Sequence, residues 1–292
     1  MKLKGIIPAL VTPLNPDETI NTDVLKSLIC FLLSKDADGF YIGGATGEGL
    51  ALKTEERMIL AQEAISIVNR QKPCIVQVAA ADFGDAILLA KHAEKAGADA
   101  ISATPPLFFD YDEDDVYQYY KALADAVHIP MMIYYNPAAG FHINAEFAAR
   151  MFEVDNITAI KWTSSNYYEM LRLKDLTHGE MNIINGPDEM LLAGLNSGAD
   201  GGIGTTYNFM MELIKSIYTN FIHKNTETAI QKQIQVARII SELKKYKVIP
   251  ATKVILEHMG FSVGNATFPM KRYTKEEKAH IVSKLKQAGL TV

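Results

Sequence analysis

Cysteine is nearly absent from this chain, with Cys30 and Cys74 the only two in 292 residues. Their separation makes neither a metal-binding nor a redox spacing, so a disulfide framework and a cysteine metal centre are both excluded, and the pair reads as reduced, buried thiols of a cytoplasmic protein. Long apolar runs are missing too. None approaches the roughly 20 residues of a membrane-crossing helix, and the opening Met1-Lys2-Leu3-Lys4-Gly5-Ile6-Ile7-Pro8 is basic but lacks the apolar stretch and cleavage site of a leader. Positive charge is not in surplus. The formal net charge is −5 and Lys and Arg are scattered, which argues against nucleic acid as a partner. The acidic run Asp110–Asp115 lacks the glycine and ligand spacing of a calcium loop and reads as a solvated helix start, so no metal is expected. The aromatic run Tyr117-Gln118-Tyr119-Tyr120, at helical spacing, reads as core and subunit contact and not as a base-stacking platform.

What the chain does have is apolar residues in a regular order. With 48% hydrophobic and 22% charged residues it can bury one large core. Strand-like runs at Gly5–Val11, Gly39–Ile42, Cys74–Ala79, Ala100–Ala103, Met131–Tyr135, Thr158–Lys161, Asn182–Ile184 and Gly201–Ile203 alternate with amphipathic stretches at Thr22–Ser34, Thr54–Asn69, Gly84–Ala96, Glu113–Ala126, Ala145–Phe152, Tyr167–Leu176, Glu189–Asn196 and Met210–Thr219. Such alternation predicts a parallel sheet with right-handed crossovers, and this number of units closes into a (β/α)8 TIM barrel over residues 1–222. Residues 223–292 carry helical periodicity at Thr226–Tyr246, Pro250–Met259 and Lys275–Ala288 without strands between, and form a C-terminal helical appendage. A doubly wound nucleotide-binding sheet is disfavoured, because Thr12-Pro13-Leu14-Asn15 after the first strand cannot cradle a pyrophosphate.

Three clusters carry chemistry. Lys161 closes the apolar run Ile157-Thr158-Ala159-Ile160, at the strand end where a parallel barrel places its reactive groups. Desolvation there disfavours the ammonium and leaves an amine able to form a Schiff base with a ketone or aldehyde, although a strand-end lysine can also snorkel to solvent. Gly43-Gly44-Ala45-Thr46-Gly47-Glu48-Gly49 follows the second strand, and its converging amides with the Thr46 hydroxyl suit a small anion such as a carboxylate. The glycines also fit a tight turn on steric grounds alone, and Glu48 is either a helix-start carboxylate or an anchor for the loop. In Met131-Met132-Ile133-Tyr134-Tyr135-Asn136-Pro137 alternation allows only one tyrosine to face the barrel mouth, where a phenol can relay protons.

With these clusters in this order, the chain resembles the Schiff-base class I aldolase superfamily of N-acetylneuraminate lyase and dihydrodipicolinate synthase, from Pro8-Ala9-Leu10-Val11-Thr12-Pro13 to Tyr207-Asn208. The resemblance makes Lys161 the Schiff-base lysine, Tyr134 the proton-relaying tyrosine by its spacing from Pro130 and Pro137, and Gly44, Ala45 and Thr46 the carboxylate loop. Asn185-Gly186-Pro187-Asp188-Glu189-Met190 and Gly201-Gly202-Ile203-Gly204-Thr205-Thr206-Tyr207-Asn208 are most similar to the N-acetylneuraminate lyases. That similarity implies that Asp188, Glu189 and Thr205 bind a polyhydroxyl chain, and that Thr163, Gly186 and Gly204 line the same site. Carboxylates accept paired hydrogen bonds from adjacent hydroxyls, which makes the role chemically sensible, and Asp188 also stands where a helix cap would.

The chain departs from the family at Asn136, which has slipped by one from the family's place after the tyrosine, and in three further places. Ala138-Ala139-Gly140 occupies the position where the synthases carry an arginine, Leu107-Phe108-Phe109 lacks the interfacial tyrosine, with Tyr111 nearby, and Ala45 replaces a serine or threonine. The resemblance implies a lyase acting on a 2-keto acid with a polyhydroxylated tail, most simply N-acetylneuraminate, and releasing pyruvate, with no cofactor, in a homotetramer built as a dimer of dimers. A 2-keto-3-deoxy sugar acid aldolase or dehydratase, a synthase-like enzyme and a catalytically silent sugar-acid-binding barrel are the alternatives.

Overall fold

The protein, described over residues 2–292 by a computed structural model, is built on strands β1 (Gly5–Pro8), β2 (Phe40–Ile42), β3 (Cys74–Gln77), β4 (Ala100–Ala103), β5 (Met131–Tyr135), β6 (Ile157–Trp162), β7 (Asn182–Asn185) and β8 (Gly201–Gly204). Helices α1 (Thr22–Ser34), α2 (Thr54–Val68), α3 (Phe83–Ala96), α4 (Glu113–Asp125), α5 (Ala145–Phe152), α6 (Tyr167–Leu176), α7 (Leu191–Asn196) and α8 (Tyr207–Ile222) each follow one strand. All strand pairs are parallel, in the spatial order β1-β8-β7-β6-β5-β4-β3-β2. A bridge between Ala9 and Tyr41 brings the two ends of that order together, which makes the expected (β/α)8 barrel. Helices α9 (Thr226–Leu243), α10 (Val248–His258) and α11 (Lys275–Gln287) follow it.

Local signals start most helices. Asn21, Asp82, Asn144 and Asn166 each accept a hydrogen bond from a backbone N–H in the first turn of α1, α3, α5 and α6, and Asp112 with Asp115 forms a capping box at α4. The acidic run Asp110–Asp115 is thus a helix start. Two apolar cores result from the period-2 alternation of the strands. Leu3, Ile7, Tyr41, Ile75, Met132, Tyr134, Ala159, Ile184 and Ile203 fill the barrel interior, while the opposite faces of the strands pack under the helical shell with Phe40, Ile133, Tyr135 and Trp162.

Several boundaries and one burial differ from expectation. β1 stops at Pro8; Ala9 still bridges to Tyr41, and beyond it Asn208 takes over the Ala9 carbonyl and the Val11 N–H. α7 starts at Leu191, after a 3-10 turn over Asp188–Met190, and α8 starts earlier, at Tyr207, with a kink at Met210. Cys30 is exposed, correcting the reading of both thiols as buried: the α1 stripe Leu25, Leu28, Ile29, Leu32 faces the core and Cys30 lies off it. Cys74 is buried, and burial pushes its thiol up to about 12. Among the described residues no helix is long and apolar enough to cross a membrane.

The seam where β1 meets β2 has little backbone pairing and is completed by side chains. Leu10 N–H donates to the Tyr41 carbonyl at 2.9 Å. The wholly buried Asn208 accepts from Val11 N–H at 3.1 Å and donates to the carbonyls of Ala9 at 2.6 Å and Thr205 at 2.8 Å. An Asn208→Ala variant leaves those groups buried and unpaired, so it is expected to lose about 1–3 kcal/mol of unfolding free energy in urea titrations. A change within the error of the titration would show that other contacts hold the seam.

Candidate active site

The carboxyl-terminal ends of the strands bring the predicted side chains to one mouth. Lys161 is 5% exposed on β6 and pairs in register with Tyr134 on β5 and Ile184 on β7. Its Nζ lies 4.2 Å from the Tyr134 ring centroid and 4.8 Å from that of Tyr41, and no carboxylate among the described residues pairs with it. Aromatic faces attract a cation but neither accept its proton nor replace its hydration. The head group is therefore held in the barrel, and the snorkelling alternative does not apply.

Strand parity separates the adjacent tyrosines. Tyr134 points into the barrel beside Lys161, with its ring edge-on to Tyr41 at 5.9 Å. Tyr135 points outward, where its hydroxyl meets His142 Nδ1 at 3.0 Å, its ring packs on Trp162 at 4.8 Å and burial raises its phenol. Tyr41 is a site residue that the motif reading passed over. It is wholly buried, which raises its phenol, and it donates to the buried Ser102 Oγ at 3.0 Å. Its place just before the glycine loop was the available signal, since a Cβ on Gly44 would come within 2.5 Å of its ring.

The glycine loop crosses this wall. Gly43 takes φ 68°, and a side chain on Gly49 would collide with the Gly43 carbonyl, so here the glycines are required by the turn itself. Thr46 is buried and its Oγ1 lies 2.7 Å from Thr205 Oγ1, linking the loops after β2 and β8. Ala45 stands exposed at the rim. Glu48 does not face the mouth: its side chain is buried against the C-terminal region, so the anchor is the reading that holds.

Beyond β7, Asp188 is 7% exposed, and its Oδ2 accepts from Thr206 N–H at 2.8 Å and from Thr206 Oγ1 at 2.7 Å. It therefore ties the β7 and β8 loops together and does not cap α7. Its other oxygen faces Gly204, where a Cβ would fall within 2.0 Å of it. Gly186 has the same relation to Thr163, whose buried Oγ1 has no partner among the described residues. Glu189 gives its Oε1 to Lys244, the residue that follows α9. Tyr167 donates to Asn185 Oδ1 at 3.0 Å and to the Met190 carbonyl at 3.2 Å, bracing the 3-10 turn that holds both acids. At the place of the missing interfacial tyrosine, Phe108 is 95% exposed with φ 80°, and Tyr111 packs edge-on to Phe109.

Burial, opposed by the Thr206 bonds and aided by the neighbouring Glu189, pushes the Asp188 carboxyl up to about 6. The folded state then holds a proton that the unfolded chain has released, and stability falls as pH rises from 3.8 to about 6. The fall is expected to reach up to about 3 kcal/mol in wild type, from a shift of about two units. An Asp188→Asn variant, which does not titrate, is expected to lack this component in urea unfolding between pH 4 and pH 7. Parallel pH profiles for the two proteins would overturn this account of Asp188.

Over residues 2–288 the chain matches the Dihydrodipicolinate synthetase family. It is 33% identical over 279 residues to an N-acetylneuraminate lyase of Rhizobium meliloti (strain 1021), covering 96% of this chain and 93% of that protein. Among solved structures it is similar to a Proteus mirabilis N-acetylneuraminate lyase, with a TM-score of 0.95 at 29% identity over 100% of both chains. It is also similar to a dihydrodipicolinate synthase from Acinetobacter baumannii complexed with pyruvate, with a TM-score of 0.92 at 27% identity over 99% of this chain and 100% of that one. The names of these relatives support a lyase of the aldolase superfamily. With a match that runs through the barrel and on into the C-terminal helices, the chain belongs to the dihydrodipicolinate synthetase family.

Proposed function

We propose that this protein is a Schiff-base lyase that cleaves a polyhydroxylated 2-keto acid, N-acetylneuraminate, to pyruvate and N-acetylmannosamine. The observation that carries the reading is the Lys161 amine, buried against Tyr134 with no carboxylate paired to it, at the mouth that also holds the Thr46 hydroxyl. Lys161 attacks the keto carbon and, with loss of water, forms an imine. Once protonated, the imine is the electron sink, so breaking the bond between C3 and C4 leaves an enamine and requires no metal. Tyr134 gives its phenolic proton to the hydroxyl that leaves as water when the imine forms, then takes the proton of the C4 hydroxyl as the C3–C4 bond breaks and passes it to C3, and it recovers its own proton as hydrolysis of the imine releases pyruvate. Gly44 to Thr46 hold the substrate carboxylate, while Asp188, Thr205 and the free Thr163 hydroxyl orient the tail. Glu189, paired with Lys244, supports that turn as well as facing the sugar.

The absence of an arginine in Ala138-Ala139-Gly140 favours the lyase over the synthase. A cleavage of smaller 2-keto-3-deoxy acids uses the same lysine, and only the tail contacts distinguish it. The lack of a hydroxyl at Phe108 is the feature that favours a silent binding barrel.

Pyruvate with borohydride is expected to add a reduced three-carbon group to Lys161, seen by mass spectrometry of the Trp162 peptide. An adduct elsewhere, or none, overturns the Schiff-base reading. Lys161→Arg is expected to fold and to have no turnover, because arginine stays protonated. Tyr134→Phe is expected to lower kcat by roughly 10²-fold or more, and Tyr135→Phe much less. The reverse ranking would place the relay on the other tyrosine.

The substrate is tested by turnover of N-acetylneuraminate against 2-keto-3-deoxygluconate. Asp188→Ala is expected to raise KM for the former by about 1.5–3 kcal/mol while sparing pyruvate trapping. Efficient cleavage of 2-keto-3-deoxygluconate alone by wild type would remove the sialic-acid assignment and keep the aldolase.

A further inference from the structure

Glu48 has an unusual backbone and an unusual environment. It takes φ 58° and ψ 22°, the left-handed region that a non-glycine residue occupies only when its surroundings hold it there. Its N–H donates to the Ala45 carbonyl at 3.1 Å, and the next N–H, of Gly49, donates to Gly44 at 3.2 Å. The left-handed turn at Glu48 thus closes the backbone that presents Gly44, Ala45 and Thr46 to the mouth.

The Glu48 side chain has no solvent contact. Its Oε1 lies 2.6 Å from Lys253 Nζ on α10, whose side chain is 2% exposed, and its Oε2 accepts from Thr267 N–H at 2.6 Å. Lys253 also donates to the Asn265 carbonyl at 2.9 Å, and burial holds its ammonium below the usual lysine value. The segment between α10 and α11 is further laid against the loop after β1, where Leu14 N–H donates to the Val263 carbonyl at 3.0 Å. From that loop, Thr12 Oγ1 donates to the Gly47 carbonyl at 2.7 Å. The carboxylate loop is therefore gripped from behind at Glu48 and at Gly47, both times through contacts that lead to residues 253–267.

We propose that Glu48 and Lys253 are positioning residues for the keto-acid carboxylate, the buried ion pair fixing the turn whose amides bind it, so that affinity for pyruvate is set from the C-terminal helices. A buried ion pair is weak as a source of stability, since an apolar or neutral pair of the same shape does as well. It is strong as a locator, because either charge left alone is heavily penalised and the two must meet in one geometry. Neither residue touches the substrate.

This assignment rests on the Schiff-base reading, and pyruvate trapping on Lys161 tests it. Glu48→Gln/Lys253→Met removes both charges, keeps the shape and retains an acceptor for Thr267 N–H. The double variant is expected to fold, by circular dichroism, and to need about tenfold to 10²-fold more pyruvate for half-maximal trapping, with the limiting rate little changed. The single variants Glu48→Gln and Lys253→Met, each leaving one charge buried, are expected to be less stable than the double. A folded double variant that half-saturates at the wild-type pyruvate concentration overturns the positioning role and leaves the Schiff-base reading intact. Wild type that forms no adduct overturns both.

A measurement on wild type alone does not depend on any variant folding. Coupling between the loop and residues 263–268 is reciprocal, so reduction of the pyruvate adduct onto Lys161 is expected to slow hydrogen exchange at the Thr267 amide. Unchanged exchange there overturns the assignment.

Discussion

Closing parallel strands into a ring constrains everything else in this molecule. A closed barrel has no free edge on which to leave unpaired N–H and C=O groups, and each strand offers one face to the interior and one to the helices. Closure here is weakest between β1 and β2, where one bridge is supplemented by Asn208 and by Thr12. The same seam carries the glycine loop. The loop is therefore free of sheet pairing and has to be shaped by side chains, which is where Thr46, Thr205 and Glu48 enter.

Electrostatics at the mouth follows from a scarcity of charge. Lys161 meets aromatic faces with no carboxylate in salt-bridge contact, and Asp188, whose burial raises its carboxyl, is held by hydrogen bonds from Thr206, with the charge of Lys161 a smaller influence. Of the two acids after β7, Asp188 gives its Oδ2 to Thr206 and Glu189 gives its Oε1 to Lys244, so each commits one oxygen to the protein. Small residues complete the site by letting neighbours approach: Gly186 admits Thr163, Gly204 admits Asp188 and Gly44 admits Tyr41.

The architecture was legible in the sequence because each strand and helix announces itself through nearby residues. The alternating runs placed every strand within a few residues, while strand parity left Tyr134 and Tyr135 open and the choice of Tyr134, which does face the barrel interior, came from the family resemblance over Pro130 to Pro137. What was not legible depends on partners distant along the chain. Asn208 reads as an ordinary polar residue until β1 is beside it, and Tyr41 reads as one residue of a short apolar strand until β5 and β6 put Tyr134 and Lys161 against its ring. Cys30 was misjudged because composition suggests burial for cysteine, whereas its phase on α1 decides exposure. Glu48 could be placed in the loop but not paired, since Lys253 sits in a helix whose pattern otherwise shows only a buried face.

The grip on Glu48 has a consequence for how the chain comes off the ribosome. Every strand, the Lys161 amine and both ends of the glycine loop are synthesised before Lys253 and Thr267 exist. A nascent barrel can therefore pair its strands while the anchor of its glycine turn is still inside the exit tunnel, with Glu48 lacking both of its partners. Fixing of that turn thus waits for residues 253–267, and a chain stopped after α9 would carry the lysine without the anchor of the glycine loop.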